Sequence, residues 1–374
     1  MTKTNQIQLE RTDDLDIYKY CSYNTSITWK GKLTSEQYVK RDVVLNSTSK
    51  ILQKDSKEQK GVYLYILRDY SIPAFNKFDN IVASVETLND ESWRINGPNG
   101  ELIKVISSVV GNVFTLPQHR KKGYANHLIT QLNEILDEQC GKDGYSYLYS
   151  EVGDYYQKFG YNNFHIPTHY FEIGEKIETI DTNSFKYLSY YGFKDLIEIQ
   201  KNHTRNKLLQ RAQNLKSDES IISLIPNIDR YSWHHERDLI ISSYLHQDLE
   251  IRNFGAVLNN SNDHFIWYHD WNESKLVILK TFIEFENEQG SKNFAQLLKI
   301  AIKEAHDFKL KGIVLWDSAL GESQKFYDLN LELLESFNNT KLFGVNDSLS
   351  AIRFHDKTSS DKIYWNGNEK WEWF

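Results

Sequence analysis

One turn between a strand and a helix constrains the fold of this chain more than any other segment. The β-rich run VISSVVGNVFT (105–115) leads into LPQHRKKGYA, and a predicted helix over 125–139 follows. Small residues in such a turn let the backbone close around a diphosphate, and the first N–H groups of the helix point at it. The helix dipole and the basic side chains add attraction for negative charge. The pattern therefore predicts an anion-binding loop, with an ordinary surface loop carrying a basic pair as the alternative.

The first half of the chain has the pattern of a mixed α/β domain, because apolar residues switch between strand and helix spacing. The predicted elements are a helix over 34–46 that starts at a capping threonine, strands over 61–69, 81–88 and 105–115, the helix over 125–139, a strand over 145–150 and a short helix over 154–161. NGPNG (96–100) predicts a turn, and Gly111 predicts a bulge in the third strand.

The second half repeats this order of elements loosely. Strands are predicted over 251–257, 264–269, 275–283 and 311–317, with a helix over 291–308 before the last one. This order indicates a second copy of the same architecture. We therefore predict the fold class α+β (mixed α/β), with a first domain over 1–175, a connector over 176–230 and a second domain over 231–374.

Charge and composition exclude several classes of function. The net charge is −7, whereas nucleic-acid-binding domains usually carry a basic excess. The two cysteines, Cys21 and Cys140, have no metal-ligand spacing, so we predict no metal site and a reducing compartment. The polar N-terminus lacks the apolar region of a signal peptide, and no apolar run is long enough for a membrane span. We expect a cytoplasmic protein without nucleic-acid or membrane partners.

Two short motifs together resemble the GNAT superfamily of acetyltransferases. RKKGYA matches the loop with which that superfamily binds the pyrophosphate of acyl-CoA, and YYQKFGY matches its recurring FYEKLGF-like end. The resemblance implies a GNAT fold and acetyl-CoA as co-substrate. It also implies a tyrosine, four residues before the glycine, that protonates the departing CoA thiolate. That residue is Tyr156 here, whereas Tyr155 is expected to be a packing residue.

A closer resemblance covers most of the chain. TWKGKLTSEQYVKRD, IVASVETL, GNVFTLPQHRKKGYA, YLYSEVGDYYQKFGY, SWHHERD and NEKWEWF look like segments of the fungal lysine N6-acetyltransferase family. Members of that family acetylate free L-lysine at the start of its catabolism. The resemblance implies L-lysine as the acceptor, a catalytic domain over 1–175 and a degenerate GNAT-like domain over 231–374. GSKNFAQLL (290–298) has one glycine and no basic pair, so this second domain is expected to bind no coenzyme and to close one side of the cleft.

The resemblance also assigns residues to the coenzyme. Backbone groups at the end of the strand are expected to orient the pantetheine and polarise the thioester carbonyl, and the turn is expected to hold the phosphates. The residues so assigned are Val113, Phe114, Thr115, Arg120, Lys121, Lys122, Gly123, Tyr124, Ala125 and Asn126.

The acceptor ammonium must lose a proton before it attacks the thioester, because the ordinary pKa of a lysine amine is about 10.4. Some superfamily members keep a glutamate on the coenzyme strand, but the matching position here is Val109. The candidates for the base are Glu86 in IVASVETL and Glu151 after YLYS. A structural role is the alternative for both glutamates, and Glu151 is also a candidate for binding the substrate's amino group. Neither cysteine has a nucleophile motif, so we expect direct transfer in a ternary complex.

Some alternatives stay open at this point. Adjacent histidines in WHHE (233–236) point in different directions on a helix, which favours a structural role or a pocket wall over a metal site. The tail NEKWEWF is expected to pack between domains or, by the resemblance, to fold back and shape the acceptor pocket. The acceptor is alternatively a polyamine, a peptide or a protein lysine. A non-catalytic acyl-CoA-binding protein is the alternative class.

Overall fold

The computed structural model describes residues 6–55, 57–175, 177, 179–337, 339–356 and 362–374. Within these residues the helices are α1 (Leu15–Trp29), α2 (Ser35–Thr48), α3 (Tyr124–Cys140), α4 (Lys194–Ala212), α5 (Ile228–Leu245), α6 (Glu288–Asp307) and α7 (Gln324–Glu335). The strands are β1 (Ile7–Thr12), β2 (Gly61–Asp69), β3 (Ile81–Asn96), β4 (Ile103–Thr115), β5 (Tyr145–Ser150), β6 (Asn162–Phe164), β7 (Thr168–Glu172), β8 (Phe185–Tyr187), β9 (Ser220–Leu224), β10 (Gly255–Leu258), β11 (His264–Asp270), β12 (Lys275–Phe282), β13 (Gly312–Trp316), β14 (Lys341–Gly344), β15 (Leu349–Phe354) and β16 (Ile363–Trp365).

Two β-sheets form the frame of the described chain. The first has the strand order β1-β2-β3-β4-β5-β15-β6, and β9 and β16 extend it beside the C-terminal end of the long strand β3. The second has the order β14-β7-β13-β12-β11-β10-β8. Neighbouring strands run antiparallel except in the pairs β4–β5, β12–β13 and β9–β16.

The parallel pairs β4–β5 and β12–β13 are the same structural unit used twice. Parallel neighbours need a crossover connection, which α3 provides in the first sheet and α6 in the second. On α3, Leu128, Leu132 and Leu136 recur every four residues and are fully buried, as expected for a helix that packs one face on a sheet. On α6, Phe294 and Leu298 have the same spacing and burial. The predicted α+β class and the predicted second copy of the first architecture are therefore confirmed.

Each half of the chain contributes a strand to the sheet of the other half. β7 follows β6 in sequence but pairs with β13 of the second sheet along its whole length. Conversely, β15 pairs with β5 of the first sheet over six residue positions. The domain boundaries at 175 and 230 stay a prediction. The exchanged strands mean that each sheet contains residues from both halves of the chain.

Aromatic packing joins the two sheets through α5 and the C-terminal tail (residues 366–374). The ring of Tyr231 on α5 stacks on Trp371 of the tail with 5.3 Å between ring centroids, and both side chains are buried. Trp365, just before the tail, packs edge-on against Tyr147 of β5 and donates from Nε1 to Glu372. The tail is therefore part of the core, as its tryptophan content predicts.

Several predicted elements differ from the structure at their ends. β3 continues to Asn96 rather than ending at 88, because its second part pairs with β9 from more than 120 residues away. The strand predicted over 251–257 is regular only from Gly255, because the N–H of Phe254 first bonds the carbonyl of Leu188. The short helix predicted over 154–161 is a 3-10 segment, Gly153–Phe159, that ends at Gly160 in the left-handed region.

A buried cluster of ionisable groups ties α5 and α6 to the second sheet. Asp238 on α5 accepts hydrogen bonds from both the backbone N–H and Nδ1 of His269, at 2.7 and 2.8 Å. Glu304 on α6 lies 3.4 Å from the opposite ring nitrogen. Burial by itself lowers the pKa of His269, but Asp238 and Glu304 outweigh burial and raise it to about 9.

We expect the His269 cluster to contribute a fall in the free energy of unfolding as the pH rises from about 6.5 to about 9, and the difference between wild type and Asp238→Asn isolates this contribution. A histidine whose pKa is raised on folding stabilises the fold fully below its unfolded pKa and loses that contribution as the pH rises through the folded pKa. The change corresponds to roughly 2–4 kcal/mol. Urea denaturation across this range measures it. Asp238→Asn should flatten the slope, whereas His306→Gln, at a half-exposed histidine on α6, should not. A wild-type slope that Asp238→Asn leaves intact would contradict this assignment.

Candidate active site

The parallel pairing of β4 and β5 ends before either strand does. Val110 and Leu148 are the last paired residues, yet β4 continues to Thr115 and β5 to Ser150. Beyond Val110, the edge of β4 that faces β5 therefore presents backbone N–H and C=O groups that the sheet does not use. This stretch of β4 and the end of β5 line one cavity of about 660 Å³.

A bulge in β4 lies where β4 and β5 separate, and it sets the direction of β4 beyond Val110. Glu86 of β3 pairs with Gly111 and Ser84 pairs with Phe114, so two residues of β4 oppose one residue of β3. Asn112 and Val113 together oppose Val85, so the bulge begins one position after the glycine where the sequence predicts it. Asn112 has a φ of 50°, in the left-handed region that asparagine tolerates better than most residues.

The turn before α3 leaves the start of that helix uncapped. Lys121 and Gly123 have positive φ angles of 62° and 85°, and α3 begins at the next residue without a side-chain cap. The equivalent helix α6 is capped, because Asn287 accepts a hydrogen bond from the N–H of Gly290 at 2.9 Å. The first N–H groups of α3 are therefore open to an anion, and those of α6 are partly satisfied by the chain itself.

The side chains of this turn point in several directions. Arg120 donates to the carbonyl of Thr115 at 3.2 Å and lies over the ring of Phe114. Lys121, Lys122 and Gly123 are exposed, and Ala125 is partly buried. The Tyr124 side chain instead turns into the core, where its hydroxyl donates to Asp69, so its side chain is structural and only its backbone lies at the turn. Asn126 accepts hydrogen bonds from Tyr155 and Lys158.

Tyr156 lies in the 3-10 segment after β5 and lines the cavity. Its ring packs edge-on against Tyr155 and Tyr161, with centroid distances of 5.3 and 6.1 Å. Within the described chain, its hydroxyl forms no hydrogen bond with another group. Burial, with smaller contributions from Tyr161 and Tyr155, raises the pKa of Tyr156 well above its ordinary value. The hydroxyl is therefore a protonated donor without a partner.

The two candidate glutamates lie on the same cavity but in different environments. Glu86 accepts a hydrogen bond from Asn112 Nδ2 at 2.8 Å, which the bulge positions. Burial and the nearby Asp42 carboxylate raise the pKa of Glu86 to about 7, while Asn112 and Arg41 oppose the rise. Glu151 is exposed and accepts a hydrogen bond from Trp29 Nε1 at 2.8 Å. The pKa of Glu86 therefore lies where a general base works best near neutral pH.

The cavity is built from both halves of the chain. The first half contributes the three catalytic candidates, the residues 110–115 and Arg120, together with side chains of α1 and α2. The second half contributes Trp233 and Arg237 of α5, Tyr268 and Asp270 of β11, and Lys370, Trp373 and Phe374 of the tail. The expectation that the tail folds back to the pocket is confirmed by this lining.

The sequence analysis missed three basic residues of the cavity wall: Arg41, Arg237 and Lys370. They lie on α2, on α5 and in the tail, far apart in the sequence. Each belongs to a segment that carries the family resemblance, namely TWKGKLTSEQYVKRD, SWHHERD and NEKWEWF. That membership is the sequence signal that could have identified them.

The residues considered as metal ligands or nucleophiles lie elsewhere. His234 and His235 are buried, and His234 lies 3.3 Å from the carbonyl of Trp371. Across the described ranges, no group of three or more His, Cys, Asp or Glu residues is arranged to hold a metal ion. Cys21 and Cys140 are buried, and burial raises the pKa of each thiol to about 12, which makes them poor nucleophiles.

Family comparisons agree with this geometry. A model of the GNAT acetyltransferase domain matches residues 55–164, and a model described as the LYC1 GNAT-like C-terminal domain matches residues 174–374. Fold and site together define a GNAT-type N-acetyltransferase with two GNAT-like regions. The chain belongs to the LYC1-like family of this superfamily. An uncharacterized protein of Saccharomyces cerevisiae is 30% identical in an alignment that spans 387 positions and covers 96% of each chain.

Solved structures share the fold at low sequence identity. A GCN5-related N-acetyltransferase from Anabaena variabilis is 12% identical, with a TM-score of 0.51, and the match covers 93% of this chain and 73% of that one. A tandem GNAT protein from the clavulanic acid biosynthesis pathway is 8% identical, with a TM-score of 0.50, and covers 93% and 98% of the two chains. Among the helices of the described ranges, none has the length and apolar character needed to cross a membrane.

We expect the Glu86 carboxyl to titrate near pH 7 rather than in the ordinary glutamate range. The infrared C=O band of the protonated carboxyl, taken as the difference between wild type and Glu86→Gln, gives the midpoint. Asn112→Gly keeps the positive φ but removes the hydrogen bond that favours the carboxylate, so it should move the midpoint upward. A wild-type midpoint near 4.5 would contradict the expectation.

Proposed function

We propose that this protein transfers the acetyl group of acetyl-CoA to the side-chain amine of free L-lysine, by direct transfer in a ternary complex. The observation that carries the proposal is the convergence of three features on one cavity. These are the open edge of β4, the unpartnered hydroxyl of Tyr156 and the carboxyl of Glu86 with its raised pKa. As the family resemblance implies, we place the reaction at the start of lysine catabolism, and we propose the cytoplasm as its location from the composition of the chain.

The coenzyme half of the site fits acetyl-CoA. The uncapped start of α3 offers backbone N–H groups, and the exposed Arg120, Lys121 and Lys122 supply positive charge beside it. A Cβ at Gly123 would meet no atom within 4 Å, so the backbone here is open to a ligand. The pantetheine arm would then enter the gap beside residues 113–115, where unused backbone groups can orient the thioester carbonyl.

Glu86 is the proposed general base. With a pKa of about 7, it is largely ionised just above neutral pH and still basic enough to accept a proton from the acceptor ammonium, directly or through a water. The neutral amine then forms a C–N bond with the thioester carbon, and the C–S bond to CoA breaks as the thiolate takes the proton of Tyr156. The surplus proton of the new amide nitrogen returns to the Tyr156 phenolate, and Glu86 releases its proton to water. Glu151, which is exposed and held by Trp29, is proposed to bind the acceptor's amino groups rather than to act as the base.

Tyr156 is the proposed general acid. Because its pKa is raised, the hydroxyl stays protonated at neutral pH and is available to donate to the sulfur that leaves as CoA. Direct transfer requires no protein nucleophile, which fits two buried cysteines whose thiols have raised pKa values. The cavity volume of about 660 Å³ suits a thioester arm with a small amine, as in other small-molecule sites.

The first experiment measures CoA release with a thiol reagent from purified protein and acetyl-CoA. We expect turnover with free L-lysine and much slower turnover with ornithine, spermidine or a lysine peptide. Mass spectrometry of the product should show acetylation at the side-chain amine. Turnover with another amine alone would keep the acetyltransferase mechanism and discard lysine. Coenzyme binding without turnover on any amine would favour a non-catalytic acyl-CoA-binding protein.

Tyr156→Phe is expected to lower kcat about 100- to 10,000-fold, because it removes the general acid, with little change in coenzyme affinity. Tyr161→Phe is the matched control, since it removes a buried hydroxyl that bonds Ser146 and Asn133 instead of facing the cavity. An unchanged kcat in Tyr156→Phe would remove this residue from the mechanism.

The pH profile of the wild type should show kcat/KM rising through about pH 7, because Glu86 acts in its deprotonated form. Glu86→Gln should lose this limb together with most of the activity. A limb near pH 7 that persists in Glu86→Gln would assign it to another group.

A further inference from the structure

The chain places an amine of its own in the cavity where acetyl-CoA is proposed to bind. Lys370 of the tail lines this cavity together with residues 110–115 of β4 and with Tyr156. Its side chain is partly buried. The ε-amine of a lysine is the same chemical group as the acceptor amine of the proposed reaction. The cavity therefore holds a nitrogen nucleophile on its wall before any free amine enters.

The position of Lys370 is fixed because the end of the tail packs against β4. A Cβ at Gly111, the first residue of β4 beyond the pairing with β5, would lie 3.3 Å from the ring of Phe374. Trp233 of α5 packs against the rings of both Trp373 and Phe374, with centroid distances of 5.9 and 5.3 Å. The Nζ atom of Lys370 lies over the ring of Trp373, 3.9 Å from its centroid. The amine is thus anchored to residues that contact the open edge of β4.

A second chain of contacts connects Lys370 to the same edge from the side of β5. Lys370 interacts electrostatically with Glu151, which directly follows β5. Glu151 accepts a hydrogen bond from Trp29 at 2.8 Å, and the ring of Trp29 packs edge-on against Phe114 of β4. Phe114 belongs to the stretch of β4 where the thioester arm is proposed to bind. Both sides of the gap therefore place the Lys370 amine near the proposed thioester position.

The surroundings of Lys370 favour the neutral amine, which is the nucleophilic form. Among the residues that the structure describes, no Asp or Glu lies within ion-pair distance of its Nζ. Burial and the charge of Arg237 on α5 lower the pKa of Lys370 to about 7, although Asp270 of β11 and Glu151 oppose this change. About half of the Lys370 amine is therefore neutral at pH 7, whereas a lysine with the ordinary pKa of about 10.4 is less than about 0.1% neutral.

We propose that acetyl-CoA bound in this cavity acetylates the Nζ atom of Lys370 itself when no acceptor amine is present. The proposal rests on the coenzyme site of the proposed function. The neutral Lys370 amine forms a C–N bond with the thioester carbon, and the C–S bond breaks as the thiolate takes the proton of Tyr156. The surplus proton on Nζ returns to the Tyr156 phenolate. The products are N-acetylated Lys370 and free CoA, so the step needs no further reactant.

The test is mass spectrometry of the purified protein after incubation with acetyl-CoA at pH 7 without an acceptor. Lys370 should be acetylated at least about tenfold faster than the exposed Lys142 and Lys292, because its amine is more often neutral and the thioester is held beside it. The rate per molecule should not depend on protein concentration, because the reaction occurs within one molecule. Acetylation of Lys370 no faster than that of the two exposed lysines overturns the proposal.

Two controls distinguish transfer in the site from chemical acetylation in solution. An excess of CoA should slow the acetylation of Lys370 by competing for the coenzyme site and should leave that of Lys142 unchanged. Tyr156→Phe, shown to be folded by thermal melting, should slow the acetylation of Lys370 at least about tenfold, again without an effect at Lys142. Lys370→Arg should remove this acetyl group and confirm its assignment. If CoA or Tyr156→Phe leaves the rate at Lys370 unchanged, the proposal is overturned.

Calorimetric titration of the protein with CoA separates failure of this proposal from failure of the proposed function. If CoA binds and no free amine is turned over, the proposed function fails, but acetylation of Lys370 still supports the present proposal. If free L-lysine is turned over and Lys370 stays unmodified without an acceptor, the proposed function stands and self-acetylation is overturned. Absence of CoA binding overturns both.

Discussion

The site depends on one interruption of sheet pairing: β4 and β5 stop exchanging hydrogen bonds after Val110 and Leu148, although both strands continue. A parallel sheet normally satisfies every backbone group along its strands, so the separation leaves polar groups that need another partner. The bulge at residues 112 and 113 accompanies this separation and also turns Asn112 toward Glu86. The same distortion therefore opens the edge of β4 where the thioester arm is proposed to bind, and it positions the carboxyl proposed as the base.

The second half helps to build the cavity, although the start of its own helix α6 is capped. Strand exchange between the halves explains how it reaches the cavity. β7 and β15 bind each half to the sheet of the other, and the stack of Tyr231 on Trp371 fills the space between them. These contacts hold α5 and the tail against the gap in the first sheet. The second GNAT-like region thus contributes part of the cavity wall, through α5, β11 and the tail.

The electrostatics of the cavity are unfavourable without substrates, which fits a binding site. Glu86 is shifted toward its neutral form and Lys370 toward its uncharged form, because burial penalises charge and neighbouring like charges add to the penalty. By contrast, the cluster around His269 is compensated on both sides of the ring by Asp238 and Glu304, and it lies in the core. Buried charge that is paired supports the fold, and buried charge that is left unpaired is available to a ligand.

The sequence by itself determined the features that depend on neighbouring residues. RKKGYA followed by a periodic apolar run specifies a turn and a helix start, because glycine conformation and helix periodicity are local properties. The resemblance of YYQKFGY to the GNAT motif likewise pointed to Tyr156, which lines the cavity. Only the tertiary structure distinguished Glu86 from Glu151, because burial and Asp42, which is distant in sequence, raise the pKa of Glu86, whereas Glu151 is exposed. It also decided the exchange of β7 and β15 and brought Arg41, Arg237 and Lys370 together. Pairing between strands and the clustering of charges join residues hundreds of positions apart, and no local pattern encodes such contacts.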